Sequence, residues 1–525
     1  MRSMRISKVL AFLLALAVFA VSCGSDGVGD VVDSGDDTAS DAVDAASDPV
    51  DDDEAMDDEA MDDDAMDDEA MDDDAMDDDA MDDDAMDDDA MDDEAMADGM
   101  AMGECSGEEI KIGFQNPEGD PNGSFPEYSA AAQAASEYIN TELNGLGGRC
   151  IELEVCAMAI TPDDSQRCAN ELSASGSELV VSSLNFFGNH FPILAGSGIP
   201  VIVGTPITIG DFTSPGVYAI GAGGGCFGVH TGLIQFVTQD IPGLEDIEVN
   251  RVGVPWADTP PGVVCYNDLE AKPLNVIRGT AQPATGKLAG SNPDLEFIGV
   301  PVLPAAADVT PQATQVLDFD PDVIIFSAQG ADCWNFVDAM GRLGWTPDEI
   351  PLVLSGACTD FTAMEAAGDL AVGVYLTSTE KGVLNPLEGL TGEWLEDATT
   401  YQTKSVEYGL SEDDSNKGFA GQGFVLMMNI WQAAADIHDG GGEVTGESLN
   451  DWFANSDGSV STFGGSPLDC AGAPQPYIAV CSAPITINKW DGTKLVPVNG
   501  GATVSGIDLV AGTELCPSGT EDSCG

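Results

Sequence analysis

The chain has 525 residues, 93 of them Asp or Glu against 16 Lys or Arg, for a formal net charge of −77. Of the acids, 37 lie between residues 26 and 100, and past the leader 56 acids face 13 basic residues elsewhere. A field of that sign argues against nucleic acid, anionic lipid and heparin as partners, and it suits a surface that stays soluble in salt.

The N-terminus reads as an export leader. Arg2, Arg5 and Lys8 precede the apolar run Val9 to Val21, which at about a dozen residues is too short to span a bilayer. Small residues then lead into a cysteine, Ala20-Val21-Ser22-Cys23. This resembles the lipobox of bacterial lipoproteins, with Ala20 where leucine is usual. The resemblance implies cleavage of residues 1–22 and lipidation of Cys23, which would hold the mature chain on the outer face of a membrane. An ordinary secretory leader with an incidental cysteine is the rival reading.

Beyond Cys23 the composition collapses to low complexity. From Met56 to Met96 a five-residue unit, MDDDA or MDDEA, repeats. Five residues advance about 140° on a helix, so the methionines form no stripe. Dense like charge without an apolar face keeps such a segment unfolded. A flexible coil of this length reaches about 50 Å, and self-repulsion extends it. Residues 23–107 are therefore expected to be a stalk that lifts a globular part off the membrane. Loose Ca²⁺ or Mg²⁺ binding and oxidant scavenging by methionine are the competing roles.

After the stalk, short β-rich runs alternate with helical stretches. The runs are EIKIGF, IELEVC, ELVVSS, IPVIVG, NRVGVPW, LEFIGVPV, PDVIIFSA, IPLVLSG and VGVYLT. Helical segments such as SFPEYSAAAQAASEYINTELNG, SQRCANELSAS and CWNFVDAMGRLG separate many of them. Val/Ile runs alternating with helices predict an α/β fold with doubly wound parallel sheets, covered on both faces. Two successive blocks, near 108–222 and 223–376, predict two such lobes. The helix GFAGQGFVLMMNIWQAAADIHD and the segment SLNDWFANS are expected to return to the first. The expected division is a leader 1–22, a stalk 23–107, a first lobe 108–222 plus 377–476, and a second lobe 223–376 plus 477–525.

Several segments, taken in order, resemble one family. IKIGF, EYINTELNGLGG, IELEV, GIPVIVGTPIT, ADVTPQATQVLDFDPDVIIFSAQGADCWNFVDAMGRLGW and AAGDLAVGVYLTS follow the sequence of elements in type I periplasmic solute-binding proteins. The similarity is to the leucine/isoleucine/valine-binding branch, the receptors of branched-chain amino acid ABC importers, and it covers most of 108–480. It implies two lobes joined by a three-strand hinge that close on a small solute. It also implies delivery to ABC permease subunits, a monomeric receptor and no cofactor. A ligand-sensing ectodomain of a signalling system is the alternative on the same fold. The acidic stalk, the many cysteines and a tail after about 485 depart from the family.

Apart from Cys23, twelve cysteines remain, an even number in a chain read as exported, which points to disulfides. No CxxC and no Cys/His spacing of the zinc type is present, so no metal site is expected. In the fold the resemblance implies, Cys105 and Cys150 precede adjacent strands, Cys156 and Cys168 flank one βα loop, and Cys333 and Cys358 follow consecutive strand tips. Cys470 with Cys481 and Cys516 with Cys524 are near in sequence, which leaves Cys226 for Cys265.

Open parallel sheets bind ligands beyond the carboxyl ends of their strands. The tips of the first lobe are NPEGDPNGSF, LNFFGN and TPITIGDF, and those of the second are ADTPPG, SAQGAD and GACTDF. Apolar walls and a few convergent polar groups are what a small-solute cleft needs. Phe125, Asn185, Phe186, Thr205 and Thr208 supply them on one side, and Trp256, Asp258, Gln329 and Asp360 on the other. Asp360 or Asp258 is expected to meet an ammonium group, and Thr205 or Thr208 a carboxylate. Two family ligand positions differ here: Asn185-Phe186 stands for a serine pair, and the usual glutamate falls near Ala357. Replacing Thr205 or Asp360 with alanine is expected to weaken binding with little effect on the empty protein. No Lys or Arg lies in these tips, which argues against phosphorylated solutes. No GxSxG, HExxH or P-loop is present, and His190, His230 and His438 read as packing or surface residues, so catalysis is not expected.

Overall fold

The computed structural model describes residues 103–221, 223–281 and 288–510. Cys23, the repeat and the Cys516/Cys524 pair lie outside the described residues. Two sheets organise the rest. The first is built of β1 (Ile110–Pro117), β2 (Ile151–Met158), β3 (Leu179–Leu184), β4 (Val201–Thr205) and β5 (Val217–Ala219), in the order β2-β1-β3-β4-β5 and parallel throughout. The second holds β6 (Arg251–Ala257), β7 (Glu296–Val302), β8 (Val323–Phe326), β9 (Leu352–Leu354), β10 (Tyr375–Ser378), β11 (Thr486–Trp490) and β12 (Leu495–Pro497), in the order β12-β11-β10-β9-β8-β6-β7. The fold is α/β, and all nine strands read from the sequence are there. The short β5 and the pair β11 and β12 are additions, and β11 and β12 run antiparallel at the edge of an otherwise parallel sheet.

The inner strands are covered on both faces, which is why β4 (VIVGT) and β8 (VIIF) are buried, largely apolar runs, while the edge strands β2 and β7 are only partly buried. In the first sheet Phe114 stands level with Val155 on one side and Val181 on the other. One face packs on the helices Pro126–Glu142 and Gly418–Asp439, the other on Pro162–Ser175. The run Ala131, Ala132, Ala134 and Ala135 is buried and keeps the first of these helices slim. Gly423 lets its partner come close: a Cβ there would lie 2.2 Å from the Tyr128 carbonyl oxygen. The second sheet carries its own cores, one with Phe326, Phe336 and Trp490 and one with Phe236, Val252 and Tyr375.

The chain crosses between the sheets three times: after β5, after β10 and before β11. Before the last crossing, Val480 bridges Ala219 at the end of β5. Residues 103–107, read as the end of the stalk, are joined to the first lobe. The Gly103 amide donates to the Glu142 carbonyl, the Cys105 amide to that of Asn140, and Cys105 is bonded to Cys150. Four further disulfides join Cys156 to Cys168, Cys226 to Cys265, Cys333 to Cys358 and Cys470 to Cys481. These are five of the six expected pairs. Among the described residues no helix is long and apolar enough to cross a membrane.

Candidate functional site

A cavity of about 110 Å³ lies where the strand tips of the two sheets face each other. Phe186 follows β3, Thr205 ends β4, and Gln422 comes from the first turns of the helix Gly418–Asp439; these form the first-lobe side. Opposite stand Ala257 at the end of β6, Ser327 to Gln329 after β8, and Ser355 to Ala357 after β9. The crossovers close the back with Gly225, Cys226 and Thr377 to Thr379. A smaller space of about 70 Å³ continues along the crossovers, sharing Gly356, Thr377, Ser378, Thr379 and Gln422.

Local chemistry holds these walls. The Thr205 hydroxyl donates to Oε1 of Gln422 at 2.7 Å and meets the Tyr128 hydroxyl at 3.2 Å. Tyr128 also reaches Gln422 Oε1 at 3.0 Å. Burial pushes the Tyr128 phenol well above its ordinary value, so it keeps its proton. On the second lobe Ser355 Oγ donates to the Ala328 carbonyl at 2.7 Å, and Thr377 Oγ1 accepts from the Gly356 amide at 2.7 Å. The Cys333–Cys358 disulfide, with both cysteines fully buried, and the Trp334 indole donating to the Cys358 carbonyl fix the same loops. Gly225 has φ +56°, and a Cβ on it would lie 1.9 Å from the Pro206 oxygen, so only glycine fits this crossover. Past the cavity the lobes are tied together: the Gly418 amide donates to the Thr359 carbonyl at 2.9 Å, and Thr362 Oγ1 to Asp413 at 2.7 Å.

Of the nine residues expected at a ligand, Phe186, Thr205 and Gln329 line the cavity. The structure places the other six elsewhere. Phe125 packs edge-on against Phe419 at 4.8 Å, facing Gly330 across the lobes. Asn185 is buried and bonded to Ser165 Oγ and the Phe187 amide. Thr208 and Asp211 form a capping box on the turn Ile209–Thr213. Trp256 stacks on Tyr266 at 5.1 Å, and Asp258 is exposed. Asp360 accepts from the Ala363 amide at 2.9 Å, as the N-cap of Phe361–Ala367. Neither acid assigned to an ammonium group is at this cavity.

Sequence reasoning passed over Gln422, the Thr377–Thr379 hydroxyls, Ser327, Ser355 and His230, all cavity residues. The hydroxyl run TST directly after VGVYL was the available signal, since it ends a strand and opens a crossover. His230, read as packing or surface, is 8 % exposed and faces the cavity. Cys226, His230 and Cys265 bring their ligand atoms within 4.8 Å of one another. The two sulfurs are bonded to each other, however, and a metal would need them as thiolates.

No protein-family model matches the chain, and the comparison with curated proteins gives no match. Solved structures do match. A substrate-binding periplasmic protein from Ralstonia solanacearum superimposes with TM-score 0.55 at 17% identity, over 74% of this chain and 100% of its own. A leucine-binding protein from Thermotoga maritima gives 0.54 at 13%, over 75% and 99%. A branched-chain amino acid transporter substrate-binding protein from Streptococcus pneumoniae, in complex with isoleucine, gives 0.52 at 12%, over 74% and 99%.

The chain has the type I periplasmic-binding fold. In a type I periplasmic-binding fold the cavity above sits in the cleft between lobes, at the carboxyl ends of both sets of strands, where open α/β sheets bind their ligands. Its hydroxyls and amides, with Phe186 and Ile207 as apolar wall, suit a small polar solute with an apolar part.

Proposed function

We propose that the protein is an extracytoplasmic substrate-binding lipoprotein of an ABC importer that closes over a small solute and passes it to permease subunits. The carrying observation is the inter-lobe cavity, walled from both lobes by the Thr205–Gln422 pair, Gln329, Ser327 and Ser355, without a Lys or Arg among its lining residues. That lining supports an uncharged or zwitterionic solute, an amino acid or amide, and argues against phosphate esters. The similar Streptococcus pneumoniae protein, which holds isoleucine, supports the same class. Thr205, Gln422 and Gln329 orient the solute and Phe186 walls its apolar part. Residues 23–102 tether this monomeric receptor through lipid on Cys23.

A thermal-shift screen against amino acids, amides and small acids tests the reading. A ligand at a hundredfold excess over Kd stabilises the bound state by about 2.7 kcal/mol, a clear rise in melting temperature. A panel that shifts nothing, with turnover of one of its members, would replace a receptor by an enzyme. For the anchor, Cys23→Ala is expected to release the chain from membranes; retention of the variant contradicts lipidation.

A further inference from the structure

One wall of the cavity carries chemistry that solute recognition does not use. Cys226 and Cys265 both line it, and their disulfide ties the start of the helix Cys226–Gln239 to the helix Pro260–Tyr266. The Cys333–Cys358 disulfide of the neighbouring loops is fully buried instead, and neither of its cysteines lines the cavity. A ring nitrogen of His230, one helical turn after Cys226, lies within 4.8 Å of both sulfurs of the first bridge. His230 in turn has a carboxylate beside it: Oε1 of the fully buried Glu270 lies 2.9 Å from Nδ1 and accepts the Ser327 hydroxyl at 3.0 Å.

A disulfide is opened by a thiolate through a mixed disulfide, at a rate set by access and by how readily the incoming thiol loses its proton. The cavity gives access, the imidazole beside the sulfurs can take that proton, and the adjacent carboxylate favours the imidazolium so formed. The two cysteines are not equivalent. Cys226 is 7 % exposed and opens a 14-residue helix, whose free amides favour the negative charge that builds on an attacked sulfur. Cys265 is 2 % exposed, and its Sγ lies 3.6 Å from the Ile207 carbonyl oxygen, an acceptor for a thiol proton. We propose that the Cys226–Cys265 bridge is an exchange site that captures a low-molecular-weight thiol from the cavity as a mixed disulfide on Cys226. The thiol gives its proton to His230, and its sulfur bonds to Cys226 Sγ as the Cys226–Cys265 bond breaks. The electron pair of that bond goes to Cys265 Sγ, which takes the proton from His230 and turns it toward Ile207. One disulfide replaces another and one thiol another, so no external oxidant or reductant is consumed. The capture is stoichiometric, and it does not rest on the receptor reading.

The test incubates the full oxidised chain with excess free cysteine, traps new thiols with N-ethylmaleimide and maps the peptides by mass. Wild type is expected to carry one cysteine on Cys226 and one maleimide on Cys265 before any of the other four described pairs opens. Glutathione, too large for a cavity of about 110 Å³, is expected to react about tenfold or more slowly than cysteine. His230→Gln is expected to slow the capture of cysteine by about tenfold or more, with the other pairs reacting as in wild type. If that variant does not fold, the adduct site and the cysteine-to-glutathione ratio of wild type decide. First reaction at another pair, the adduct on Cys265, equal rates for the two thiols, or an unaltered rate in folded His230→Gln each overturns the proposal. Such a failure leaves the receptor reading standing, because thermal shift with thiol-free solutes tests that separately.

Discussion

Thr205→Val separates a ligand contact from a structural one. Thr205 is 9 % exposed at the end of β4, and its hydroxyl takes part in two contacts, to Gln422 at 2.7 Å and to Tyr128 at 3.2 Å. Valine keeps the branched shape but neither donates nor accepts. Gln422 Oε1 keeps the Tyr128 proton, so no carbonyl is orphaned, and the loss is one to two neutral hydrogen bonds at about 1 kcal/mol each. Stability of the empty protein should therefore fall by about 1–2 kcal/mol, read as a lower urea midpoint at unchanged slope. With Gln422 less firmly held, solute affinity should fall too, tenfold for every 1.4 kcal/mol. A double-mutant cycle with Gln422→Met should return a coupling of about 1 kcal/mol. An unchanged midpoint, with effects additive to within about 0.3 kcal/mol, would refute the network. The sequence alone led us to expect little loss of stability at Thr205 or Asp360. The structure makes the first a member of a buried triad and the second a helix cap, whose removal costs about 1 kcal/mol.

Further outcomes are equally open to measurement. Removing the bridge with Cys226→Ala and Cys265→Ala opens a link of sequence separation 39, which in the chain-entropy model costs about 4 kcal/mol, read by urea unfolding; peptide mapping without reduction should recover the five pairs and Cys516 with Cys524. Gly225→Ala places a methyl against the Pro206 oxygen at positive φ and should destabilise by about 2–3 kcal/mol, with loss of solute binding in calorimetry. Burial pushes the Asp211 carboxyl up to about 7. The folded state thus holds this proton where the unfolded chain has released it, and stability should decline as pH rises from about 4 to about 7. In Asp211→Asn that decline should be absent from midpoints measured across the window.

What was legible in the sequence follows from how local each signal is. Inner strands such as VIVGT and VIIF announced themselves because a parallel strand covered on both faces is an apolar run. TINKW escaped because it mixes polar residues into a five-residue run, and LVP because it is only three residues long. The strand-tip rule reached Phe186, Thr205 and Gln329, yet a tip does not say which side chains its own turn consumes. Thr208 three residues before Asp211, and Asp360 directly before FTAM, carried cap signatures that would have removed them from a ligand list. Gln422 was beyond reach because its position depends on Gly423 letting two distant helices meet.

A crystal structure of the full chain with the tightest-binding solute of the amino-acid, amide and small-acid panel bears most directly on the function assigned to the cleft. Solute density is expected between Thr205 and Gln422 on one side and His230 and Ser327 on the other, inside the cavity of about 110 Å³. Density on an outer face, with the inter-lobe cavity filled only by water, would contradict it.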